Sequence, residues 1–178
     1  LKALLTEDEY AAARASTLNA HYTTPVVIRA IYDTLSNMGF QTGNILEPSC
    51  GVGNFFGCLP ETMAGSKLYG VELDSLTGRI AQQLYQNASI TVQGYERVNY
   101  PKDFFDVAVG NVPFGSYQVN DKAYNRLGFS IHNYFFAKAL DQVRPGGIVA
   151  FVTSRYTLDS KDTTVRTVSY THLRAHET

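Results

Sequence analysis

Tryptophan is absent from this 178-residue chain, cysteine occurs only as Cys50 and Cys58, and no apolar run comes near the ~20 residues that span a bilayer. Two cysteines are too few for a disulfide framework or a structural zinc site, and they suit a reducing compartment. The opening Leu1-Lys2-Ala3-Leu4-Leu5 gives way at once to Thr6-Glu7-Asp8-Glu9, so no secretory leader is expected and the chain reads as cytoplasmic. A charge excess is missing as well. Fifteen Lys+Arg against sixteen Asp+Glu leave a net charge of −1 with no clustered basic run. Counterion release alone therefore cannot hold DNA, and a polynucleotide partner needs a local groove or a segment outside this chain. What is present, 44% hydrophobic and 17% charged residues, excludes collagen, coiled coil and disorder. A chain of this length buries about 70% of the surface its unfolded form exposes, enough for a single core.

Both ends are unusual. The chain begins with Leu1, which leads us to expect a piece of something longer. Residues 168–178, from Val168-Ser169-Tyr170 to Ala175-His176-Glu177-Thr178, resemble the conceptual translation of a transposon-end sequencing adapter throughout, with Thr167 at the join. Residues 167–178 are expected to be adapter-derived, and His172 and His176 are not metal-ligand candidates.

Local patterning predicts alternating elements. Thr6 to Ala15 joins an N-cap candidate, first-turn acids and strong helix formers, giving an N-terminal helical segment over 1–18. Thr24-Pro25 opens a second helix, with Val26, Val27, Ala30, Ile31 and Leu35 at helical spacing and Gly39 as its stop. Short β-rich runs follow at Asn44–Pro48, Lys67–Leu73, Ser89–Val92, Phe105–Val109 and Ile148–Val152, with helices over Gly78–Gln86 and Ile131–Val143. The alternation predicts an α/β fold, a mostly parallel sheet with helices on both faces. The stretch from Val112 to Ser130, rich in Gly, Asn and Tyr, is too long for a plain connection and is a functional candidate.

Ligands of such sheets collect beyond the carboxyl ends of the strands. Three tips carry suitable chemistry. Glu47-Pro48-Ser49-Cys50-Gly51-Val52-Gly53-Asn54-Phe55 follows the first strand; its glycines allow close backbone approach, and its acid can hold an ammonium group. Phe56 stands where a dinucleotide fingerprint wants a third glycine, which disfavours NAD; a tight strand-to-helix turn accounts for this segment alone equally well. Glu72, at the end of the second strand, can accept both hydroxyls of a ribose, although a lone acid there is more often a solvated strand end. Asn111-Val112-Pro113-Phe114 follows the fourth strand and offers an amide, a carbonyl in a proline-stiffened turn and a ring, one face for a planar ligand with an exocyclic amine. Each tip singly has a bland explanation; the three in this order do not.

Together with Thr23-Thr24-Pro25 and Gly70-Val71-Glu72-Leu73-Asp74, these segments resemble the S-adenosylmethionine-dependent N6-adenine DNA methyltransferases, in the subgroup whose threonine-proline helix precedes the glycine loop. The resemblance covers residues 19–166. Within the family it is closest to the methylase module of large bacterial mobile-element proteins that also carry a helicase region. It implies a Rossmann-like methyltransferase domain over 19–166, cut short after the fifth strand, with S-adenosyl-L-methionine as cofactor. Thr23, Thr24 and Glu47 with Pro48 would face the cofactor's methionine end, Gly51 and Gly53 would let it lie on backbone, and Phe55 would pack nearby. Glu72 would take the ribose hydroxyls, Leu73 the adenine ring and Glu96 the adenine amine; the family has the acid and aromatic of Tyr95-Glu96 in the opposite order.

The same resemblance assigns catalysis to Asn111, Val112, Pro113 and Phe114. The Asn111 side-chain oxygen and the Val112 main-chain oxygen would accept the two N6 hydrogens and draw the nitrogen lone pair out of the adenine ring, favouring the positive charge that develops as it is methylated. Phe114 would stack on a target base swung out of the duplex. Val112 replaces a proline usual in the family, which leaves the carbonyl but loosens the turn. DNA is the implied partner, aided by a recognition segment outside this chain; no metal and no membrane are expected, and oligomeric state is not legible. The alternatives are methylation of a protein glutamine or RNA adenine, or a noncatalytic nucleotide-binding module beside a helicase. His21 and His132 lack ligand-spaced partners, Cys50 and Cys58 read as small fillers, and Tyr134-Phe135-Phe136 reads as a core helix face.

Overall fold

The structure, a computed structural model, describes residues 22–115 and 117–153 together with residues 6, 7, 10 and 11. Most of the expected N-terminal helix, the stretch from residue 154 onward and with it the adapter-like tail lie outside the described residues.

Among the described residues five strands form one sheet: β1 (Asn44–Glu47), β2 (Lys67–Glu72), β3 (Ser89–Val92), β4 (Phe105–Asn111) and β5 (Val143–Val152). Every pairing is parallel, and the order is β3-β2-β1-β4-β5, so the direction of strand succession reverses between β1 and β4. That reversal parts the loops following β1 and β4 and opens a crevice between them, the usual ligand position in doubly wound sheets. The expected Rossmann-like arrangement is therefore the observed one.

Four α-helices delimited among the described residues accompany the strands: α1 (Pro25–Asn37), the single turn α2 (Asn54–Gly57), α3 (Ser75–Leu84) and α4 (Ile131–Gln142). Pro25 occupies the first turn of α1 as anticipated, where its missing N–H costs nothing, and Gly39 leaves the helix at φ +93°. In α3 the Asp74 carboxylate caps the N-terminus by accepting from the Thr77 N–H at 2.7 Å.

Strand alternation explains the two-sided core. Ile45, Val107 and Val109 pack with Ile28, Tyr32 and Leu35 of α1, whereas Leu46 and Ala108 belong with Tyr134, Phe135 and Ala139 of α4. Tyr134 and Phe135 thus serve the core, as expected. Each fully buried aliphatic or aromatic side chain of this kind stabilises by about 1.5–3 kcal/mol. β5, outermost among the described strands, differs from expectation: it starts at Val143 rather than Ile148, because Phe105 pairs with Val143 and the register then shifts so that Val107 pairs with Ile148. Asp106 braces this margin, accepting from the Asn44 N–H at 2.7 Å and from the Arg144 Nε at 2.6 Å.

Candidate active site

The loops after β1, β2, β3 and β4 converge on one cleft of about 860 Å³. Tyr22 and Thr23, ahead of α1, close one side, and Tyr117, Val119, Ile131 and Phe135 form another. The cleft is assembled by hydrogen bonds between strand tips. Ser49 Oγ donates to the Asn111 carbonyl at 2.8 Å, joining the β1 and β4 tips across the reversal point. The Cys50 N–H donates to the Val71 carbonyl at 2.9 Å, joining β1 to β2.

Glu72 has a role that its position at a strand end does not advertise. One carboxylate oxygen accepts from the Gly51 N–H at 2.7 Å and the other from the Asp74 N–H at 2.8 Å. It therefore fastens the glycine loop to the second strand tip. Burial raises its pKa, against the lowering effect of those N–H groups. Each oxygen keeps a second lone pair, so the clasp leaves acceptor capacity for hydroxyl groups in the cleft.

Glu47 is the strongest chemical signal. It is 2% exposed, and its Oε2 is buried without a hydrogen-bond partner. Burial first, and the nearby Glu72 second, hold its carboxyl well above the usual carboxylate range. Thr23 Oγ1, also in the cleft, is another buried oxygen lacking a partner. Polar atoms in this state carry a desolvation cost until a ligand meets them. An ammonium group would satisfy Glu47, and a hydroxyl-rich sugar would suit Glu72. Leu73, 76% exposed, presents an apolar surface at the rim. This donor and acceptor set fits the amine, ribose and adenine of S-adenosylmethionine.

Most residues singled out from sequence meet in this one cleft: Thr23, Glu47, Pro48, Gly51, Phe55, Glu72, Leu73 and Glu96 with Asn111, Val112, Pro113 and Phe114. Phe55 contributes from below; it is buried, packs edge-on against Tyr32 and accepts the Tyr32 hydroxyl at its carbonyl. Two residues stand apart from the lining. Thr24 is exposed, extended as the N-cap of α1, and its carbonyl accepts from the Ile28 N–H. Gly53, at φ +86°, starts α2, and a Cβ there would collide with the Tyr85 ring, so this glycine serves the turn and its packing. Gly51 is the one with open space beside its Cα. Both members of the Tyr95-Glu96 pair line the cleft, and the Tyr95 ring also joins the core and donates its hydroxyl to Gln142 at 2.6 Å. Cys50 is buried and its thiol pKa is pushed up, chiefly by burial, in keeping with a packing role.

Sequence reasoning gave no individual role to the lining residues Tyr22, Asp74, Tyr117 and Val119, although Tyr117 and Val119 lie in the Val112–Ser130 stretch it singled out. Asp74 was open to discovery, since an acid two residues past a strand and ahead of Ser75 is a standard helix cap. The cleft's charge is one-sided: Glu47, Glu72, Asp74 and Glu96 line it, and no lysine or arginine does among the described residues.

This is the fold of the S-adenosylmethionine-dependent methyltransferases, and S-adenosylmethionine is its expected cofactor. A class I S-adenosylmethionine-dependent methyltransferase structure from Listeria monocytogenes superposes with a TM-score of 0.68 at 19% identity, covering 86% of this chain and 52% of that one. In sequence, the chain is 32% identical over 140 residues to the Defense against restriction protein B of Escherichia phage P1, which covers 76% of this chain and 6% of the phage protein. It is also 32% identical over 93 residues to the type II methyltransferase M.CvrRI of Paramecium bursaria Chlorella virus XZ-6E, covering 51% and 23% respectively. The chain thus spans only a small part of these relatives' lengths. No family model matches it.

Proposed function

We propose that residues 19–166 are the methyltransferase domain of a larger protein that methylates the N6 amine of adenine in DNA, with a helical segment over 1–18 ahead of it and an adapter-derived tail over 167–178. The observation that carries this reading is the position of Asn111-Val112-Pro113-Phe114 in the same cleft as Glu47 and Glu72. Likeness to a type II methyltransferase and to a phage protein of defence against restriction supports DNA as the substrate.

Bound S-adenosylmethionine supplies a methyl group activated on a sulfonium. The chain's residues do the rest. Glu47 and Thr23 hold the amino-acid end, Glu72 the ribose, Leu73 and Glu96 the adenine. Asn111 and Val112 accept the hydrogens of the target amine, so that its lone pair leaves conjugation with the ring. Phe114 stacks on the target base, which has left its helix to reach the cleft. The Ser49 bond to the Asn111 carbonyl keeps this turn beside the glycine loop. Because the cleft is lined by acids, phosphate contacts fall to parts of the protein away from it.

The test is transfer of labelled methyl groups by the intact parent protein to DNA, RNA and protein in parallel, with Asn111→Ala as control. Label in DNA adenine that Asn111→Ala lowers about a hundredfold or more supports the proposal; label in glutamine or RNA, or in none, overturns it.

A further inference from the structure

We propose that Lys138 and Asp121 form a positioning pair that makes the two walls of the cleft, the turn after β3 and the loop after β4, respond as one unit to the bound cofactor. Lys138 lies on α4, is 4% exposed and is not part of the cleft lining. Its three N–H donors are all engaged: with the Tyr95 carbonyl at 2.8 Å, Asp121 Oδ2 at 3.0 Å and the Tyr134 hydroxyl at 3.2 Å. The ammonium also sits 4.9 Å from the Tyr95 ring centroid and 5.7 Å from that of Tyr134.

These partners belong to different walls. Tyr95 is the middle residue of the turn whose flanking Gly94 and Glu96 line the cleft. Asp121 lies two residues beyond Val119 and four beyond Tyr117, both lining residues, in the loop that starts with the Asn111–Phe114 turn. Asp121 is itself firmly seated. Its Oδ2 accepts from the Tyr134 hydroxyl at 2.8 Å, its Oδ1 from the Ala123 N–H at 3.1 Å, and its carbonyl from the Tyr124 and Asn125 N–H groups. Although its partial burial opposes ionisation, the hydrogen bonds from Tyr134 and Lys138 win, and its pKa is lowered.

Plain packing would be served better by an apolar side chain, since a buried ammonium is costly to desolvate and a buried ion pair often contributes little net stability. What the ammonium adds is direction: it fixes a main-chain carbonyl of one wall and a carboxylate of the other within one hydrogen-bond length of a single atom. A shift of the Gly94–Glu96 turn on cofactor binding is thereby passed to the loop that presents Phe114 and Tyr117.

The inference rests on the cleft holding the cofactor, so the experiment reads both. Calorimetry with S-adenosylmethionine on the full chain measures binding, and hydrogen exchange at amides 117–128 measures the loop. In the unaltered chain, cofactor should slow exchange at Tyr124, Asn125, Leu127 and Gly128. In the Lys138→Met/Asp121→Asn double variant, which removes both charges, binding should persist within about tenfold (about 1.4 kcal/mol) while protection stops at the 94–97 turn. Equal loop protection in the variant, or binding without loop protection in the unaltered chain, overturns the coupling. Absence of binding overturns the cofactor reading and the coupling with it. Should the double variant not fold, Asp121→Asn alone is read the same way: reduced loop protection supports the pair, and unchanged protection refutes it.

Discussion

Glu47→Gln replaces one carboxyl oxygen by an NH2 group in a side chain that is 2% exposed, removing an ionisable group at nearly constant volume. Its effect on stability follows from linkage. In the folded protein the Glu47 carboxyl is raised well above its ordinary value of 4.5, by burial first and Glu72 second, whereas unfolding restores that ordinary value. The folded state then binds the proton more tightly. Its stabilising contribution is complete below pH 4.5 and is lost as pH rises towards the folded pKa. One such group gives a slope of at most about 1.4 kcal/mol per pH unit, or about 3–6 °C in Tm per unit for a chain of this size. Glutamine has no such slope. Thermal melts from pH 5 to 9 should therefore show Glu47→Gln overtaking the unaltered protein as pH rises. The same change removes a charge-assisted hydrogen bond to the cofactor's ammonium, worth about 1.5–3 kcal/mol, so affinity for S-adenosylmethionine should fall about ten- to hundredfold. Parallel Tm profiles for the two proteins would refute the account of Glu47 as a buried acid awaiting a cation.

Other substitutions probe separate parts of the site. Glu72→Gln leaves one acceptor for the Gly51 and Asp74 N–H groups in place of two; S-adenosylmethionine binding should weaken, and amide exchange at 50–53 should quicken, the latter even without cofactor. Gly53→Ala places a Cβ at φ +86° and against the Tyr85 ring, so chemical denaturation should show a loss of about 1–3 kcal/mol. Phe114→Ala in the intact parent should raise KM for the methyl acceptor by a factor corresponding to about 1–3 kcal/mol of lost stacking, with Phe114→Tyr close to the original.

The strands and main helices were legible because β-branched runs and helical spacing follow from burial on two faces of a sheet. Glu47 could be picked out since an acid ending an apolar strand is costly without a partner. What stayed hidden depends on contacts between residues distant along the chain. The Glu72 clasp on Gly51 spans 21 residues and the Lys138–Asp121 pair spans 17, and neither acid differs in its local sequence from a solvated one. Thr23 and Thr24 looked equivalent, yet only Thr23 faces the cleft, because the residue before Pro25 is held extended as a helix cap. The early start of β5 was obscured by Pro145-Gly146-Gly147, which reads as a turn but is carried within the outermost described strand through a change of register.

Tyr117, 58% exposed at the mouth of the cleft, combines with the absence of tryptophan to give this chain an optical opportunity. A Tyr117→Trp replacement would install its sole indole at the gateway, keeping a flat amphipathic ring where one already stands. Excited at wavelengths beyond tyrosine absorption, that indole would report the arrival and departure of ligands from one known place in the molecule.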